Sequence, residues 1–147
     1  MAVGDIISEI GYRVRKLTED GTAAITKGQL SIIRVGKIKL ITASTDKAPY
    51  AVPIEDFAKS GTGRALVDGV IEMTEDNSAA LTLGDNVIPG ATTLGTIKKG
   101  ATGNISSNYV QAAINEILFL GVGEAYEDIS KNAVGPILLG NRLGRAD

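Results

Sequence analysis

Two acidic pairs, Glu55-Asp56 in "IEDF" and Glu127-Asp128 in "YEDI", are the side chains of this sequence best suited to chemistry. Adjacent carboxylates serve as general acid and base, or as ligands for a hard cation. Neighbours on a strand point to opposite faces, so each pair offers one inward group. Each pair also stands just before a turn-like run, where acids are ordinary. The turn reading is preferred, and cation binding at the pairs stays open. Glycine-rich stretches come next. "GTGRAL" at Gly61 and "GVGEAY" at Gly121 begin like dinucleotide fingerprints but lack the third glycine and the following helix. "GTIKKGA" ends in Ala where a phosphate-binding loop needs Lys-Ser/Thr. "GATGNISSN" at Gly100–Asn108 precedes a helix pattern, and a helix N-terminus can hold an anion; an ordinary capped loop is the preferred reading.

Other chemistries are excluded by absence. The chain has no His and no Cys, so zinc sites of thiolate or imidazole and Ser-His-Asp or Cys-His nucleophiles cannot be built. Net charge is −2, with both signs interspersed. The densest basic run, "RVRK" at Arg13–Lys16, is followed by Glu19 and Asp20 and reads as a solvated face. Nucleic acid is therefore not expected as a partner. No stretch of about 18 apolar residues is present, so no membrane span is expected. With 44% hydrophobic and 22% charged residues the chain is a folding one, and with two Phe, four Tyr and no Trp its core must be aliphatic.

The elements that position these residues read as short strands. Ile10, Tyr12 and Val14 alternate with polar residues as a half-exposed strand does. Leu30–Ile33 and Ile38–Ile41 flank Val35-Gly36 as a hairpin. Tyr50–Phe57 carries Pro53, which predicts an edge strand or a bulge. Arg64–Thr74 is a long strand with a kink or bulge at Asp68-Gly69. From Ser107 to Gly121 the pattern changes: Val110, Ala113, Ile114, Ile117 and Leu118 recur at helical spacing, predicting a helix over about 107–120.

The chain repeats itself. "TEDGT-AAITKGQ" at Thr18–Gln29 returns as "TEDNS-AALTLGD" at Thr74–Asp85, and Ile54–Gly69 resembles Tyr126–Asn141. The expected organisation is an N-terminal arm and first strand (1–22), a first β repeat (23–78) and a second repeat with the helix (79–147). The expected fold is mainly β, a duplicated small barrel- or tulip-like module with one inserted helix.

Those phrases resemble the small two-repeat phage head-decoration, or capsid cement, proteins. The residues that carry the resemblance are Ala24–Gln29, Ala51–Asp56 and Ala65–Gly69, recurring as Ala80–Asp85, Gly123–Asp128 and Ile137–Asn141. Pro53 departs from that pattern, as does the inserted helix. The resemblance implies a structural virion protein without catalysis or cofactor. It would be made in a host cytoplasm and bound to the outside of an icosahedral head, bridging units of the major capsid protein, commonly as a homotrimer. A tail, baseplate or carbohydrate-binding module is the alternative, and a carboxylate enzyme a distant third. The arm carries more apolar character than a solvated tail. Val3, Ile6, Ile7 and Ile10, with Tyr109 and Ile117 of the helix, are the expected contacts with the shell or an adjacent copy.

Overall fold

The computed structural model describes residues 2–8, 11–100 and 120–140 of the chain. Its strands are β1 (Arg13–Thr18), β2 (Ser31–Arg34), β3 (Lys37–Leu40), β4 (Tyr50–Pro53), β5 (Thr62–Thr74), β6 (Asn86–Pro89), β7 (Ile97–Lys99), β8 (Gly123–Ala125) and β9 (Val134–Leu139). They form one curled antiparallel sheet in the order β3-β2-β4-β5-β9-β8-β6-β7, with β1 paired to β5 off that path. The mainly β, barrel-like expectation holds. The helix expected over about 107–120 falls, but for its last residue, outside the described residues.

Local chemistry explains the turns. Val35 and Gly36 join β2 to β3 with φ of 52° and 75°, the left-handed pair that a two-residue hairpin requires. The kink or bulge expected at Asp68-Gly69 is present. Gly69 has φ of +127°, and a Cβ there would lie 2.7 Å from the Tyr12 Cβ. The β1 register slips beside it, between Arg13 and Val14. Two expectations need correction. The first strand begins at Arg13 and not before Tyr12, which is exposed. Pro53 lies neither at an edge nor in a bulge. Strand β4 sits between β2 and β5, and Pro53 closes it beyond the last β2 pair, Ser31–Ala51, where the missing N–H breaks no bond to β2.

Strand β5 organises the molecule. It has 13 residues, against roughly 5–6 in an ordinary strand. Its first half pairs with β1 and β4; its second half, Gly69–Thr74, pairs with β9. The two halves of the chain repeat one set of pairings. Lys16 faces Arg64 as Glu72 faces Pro136, and Ile25 bridges Phe57 as Leu81 bridges Ile129. Glu19 meets Ile38 in parallel as Glu75 meets Ile97. The second half of β5 thus stands where β1 stands in the first set. The larger core draws Leu30 and Leu66 from one half and Val87 and Ile137 from the other. A smaller cluster gathers Leu17, Ile25, Ile38 and Phe57.

Candidate functional site

The strongest polar constellations are two buried glutamates in the repeated "TED" runs. Glu19 is 1% exposed and Glu75 is fully covered. The Glu19 carboxylate accepts backbone N–H groups from Gly21 (2.7 Å), Thr22 (3.0 Å), Ala23 (3.2 Å) and Ser60 (2.7 Å). Glu75 accepts from Asn77 (2.8 Å), Ser78 (3.1 Å), Ala79 (3.4 Å) and Asn132 (2.7 Å), and from the Ser78 hydroxyl (3.0 Å). Ser60 and Asn132 both hold left-handed φ, 60° and 61°, and each aims its N–H at the carboxylate. Burial pushes the Glu19 carboxyl up, but the converging N–H donors outweigh it and hold it at about 2. Both carboxylates are clasps that tie each "TED" turn to a distant loop, with their acceptor capacity spent mainly on the backbone.

The suspected acidic pairs act similarly. Asp56 Oδ1 accepts the Lys27 N–H and Asp128 Oδ1 the Leu83 N–H, both at 2.8 Å. Glu55 Oε2 accepts the Arg64 backbone N–H (3.0 Å) and its Nε (2.8 Å), and the Arg64 side chain first among causes holds that carboxyl below its usual range. Each aspartate staples the Gly-containing turn of its own half. Among the described residues no cluster of three or more metal-ligating side chains is present.

The N-terminal arm is part of the chain's own sheet. Gly4 N–H donates to Glu72 O (2.7 Å), Glu72 N–H to Asp5 O (3.0 Å) and Ile7 N–H to Val70 O (3.0 Å), with Ile6 opposite Ile71. Asp5 accepts from Lys27 Nζ (2.7 Å) and Ala2 N (3.0 Å); these bonds hold its carboxyl below the usual range. Gly4 and Gly28 interlock. A Cβ on Gly28 would collide with Val3 Cγ2, and one on Gly4 with Lys27 Cγ. The arm, expected to meet the shell or an adjacent copy, is thus also bonded to the chain's own sheet. Ile6 packs on the larger core, while Val3, Ile6 and Ile7 each keep part of their surface accessible. Ile10, Tyr109 and Ile117 lie outside the described residues. Glu72, beside the arm, is 7% exposed, and burial, helped by the Glu127 and Asp5 charges, pushes its carboxyl up.

The remaining surface offers shape. Val35 is wholly exposed at the β2–β3 tip and Leu83 is 65% exposed at the turn stapled by Asp128. An open apolar cleft between the halves is lined by Pro49, Tyr50, Val67, Val122 and Leu139. Its Tyr50 hydroxyl donates to Asp46 O at 2.6 Å. Among the described residues no helix is long and apolar enough to cross a membrane.

No protein-family model and no curated protein matches the sequence. Among solved structures, the chain superimposes on the head fiber gp8.5 N base of bacteriophage phi29 with a TM-score of 0.56. The alignment covers 88% of this chain and 96% of that one, at 15% sequence identity, so what the two share is a fold.

Proposed function

We propose that this chain is a structural protein of a phage head, seated on the outside of the capsid and bridging neighbouring shell subunits. The observation that carries the reading is the fold common to nearly the whole of this chain and of a head fiber base. The site chemistry is compatible with it, because the Glu19 and Glu75 carboxylates are consumed in holding loops and the exposed apolar side chains include Val35 and Leu83 at hairpin and turn tips. Attachment through the accessible faces of Val3, Ile6 and Ile7, with self-association as a homotrimer, is part of the proposal. The test is co-sedimentation of purified protein with assembled phage shells and, separately, with unassembled shell subunits. Saturable binding to shells alone is expected. Absence of binding to shells would refute the reading, and sedimentation equilibrium reports the trimer.

A further inference from the structure

We infer that the outer edge of β1 is an acceptor for an extended, acidic segment of a partner protein, added to the sheet as a further strand. The second half of β5 has β9 on one edge and the arm on the other, held by backbone bonds at Val70 and Glu72. Its counterpart β1 has β5 on one edge and, among the described residues, no strand on the other between Val14 and Leu17. One half of the repeat is thus filled by the chain itself, and among the described residues the equivalent place in the other half is open.

The backbone of that edge is aimed outward. Arg64 spends its N–H on Glu55 and its carbonyl on the Ile54 N–H, both away from β1. Its cross-strand partner Lys16 therefore turns its own N–H and C=O away from β5, and Val14, two residues earlier, does the same. An unpaired edge of this kind is a template for strand addition. The same groups of Glu72 and Val70 are those the arm engages.

Charge selects the occupant. Strand β1 carries Arg13, Arg15 and Lys16, and β3, whose Ile38 meets Glu19 at the end of β1, carries Lys37 and Lys39. Neither strand has an acid. Five cations repel a second β1 edge, which rules against pairing between copies through this strand, and they attract an acidic one. The chain's own residues 141–147 carry Arg142 and Arg145 against a single Asp147, the wrong sign for this edge. The inference does not depend on the capsid reading.

The test uses the full chain, 15N-labelled, titrated with the capped hexapeptide VDVEVD and with VKVKVK as control. The acidic peptide should slow hydrogen exchange of the Val14 and Lys16 amides at least tenfold at saturation and leave Glu72 unchanged. The basic peptide should do neither. Lys16→Pro removes an outward N–H without breaking a β1–β5 bond and should abolish the protection. The double variant Arg15→Glu, Lys16→Glu, should the proline variant fail to fold, should weaken binding at least tenfold. Lack of protection at millimolar peptide overturns the inference. So does equal binding of the basic peptide, or a response at Val70 and Glu72, which would mean displacement of the arm. Protection of Val14 and Lys16 before any peptide is added also overturns it, by showing the edge already covered, by a second copy if dilution releases it and by the chain itself if not.

Discussion

Replacing Glu19 by Gln tests the charged clasp directly. In the folded protein the carboxyl titrates at about 2, against 4.5 for an unperturbed glutamate. That difference of about 2.5 units, at 1.36 kcal/mol each, amounts to about 3 kcal/mol of stability at neutral pH. The folded value is depressed, so this contribution is complete above pH 4.5 and is lost as pH falls from 4.5 through 2. Gln removes the charge at every pH. It also presents an NH2 group to one pair of donors, either Gly21 and Ser60 or Thr22 and Ala23, leaving two buried N–H groups unmatched. The combined cost is about 3–5 kcal/mol, a large share of the roughly 5–15 kcal/mol of a typical domain. Urea unfolding followed by circular dichroism, at intervals from pH 7 to pH 2, reads both quantities. The wild type should lose stability steeply below pH 4.5, and the variant should start lower and fall less. A variant within about 1 kcal/mol of wild type at pH 7, or with an identical pH profile, would refute the account of the clasp.

Three further outcomes follow from the geometry. Gly4→Ala forces a Cβ against Lys27 Cγ at a left-handed φ of +80°, so the arm should lift from β5; the Glu72 amide should then exchange faster while Ile71, bonded toward β9, stays protected. Glu72→Gln should raise the melting temperature at pH 7 and do so less at pH 4, because a carboxyl whose pKa is raised opposes folding when charged and ceases to do so as it protonates. Val35→Asn should stabilise by about 1 kcal/mol in thermal unfolding, since a β-branched residue at φ 52°, wholly exposed, gives up no packing and escapes left-handed strain.

Much of the fold was legible because it is written in short-range signals. Val35-Gly36 announces a hairpin, Asp68-Gly69 a kink, and the two "AA-aliphatic-T" phrases mark the equivalent bridges to Phe57 and Ile129. What escaped depends on partners far away in the chain. Acids in a turn run look solvated; Glu19 is instead covered by a distant loop whose Ser60 N–H joins three local donors on its carboxylate. Pro53 looks like an edge until β2 and β5 are seen to flank β4. The apolar residues of the arm announce that they will be covered, but hydrophobicity does not say by whom. Part of the answer, Ile6 on Ile71, is the chain itself. The clue available was Gly4 with Gly28, two residues whose missing side chains allow the arm and a turn to touch.

The double role of β5 has a kinetic consequence. Its pairings with β1 and β9 join residues far apart in sequence: Thr18 waits for Thr62, and Thr74 waits for Val134. Local hairpins such as β2–β3 can form early, but these two pairings must close long loops before they are rewarded, which slows folding. During synthesis the first half can close only once β5 has emerged, and that event lays down the template on which β9 later pairs. Folding should therefore be sequential, with conservative mutations at Val70 and Ile71 slowing the step that completes the second half while those at Ala65 and Leu66 slow the first.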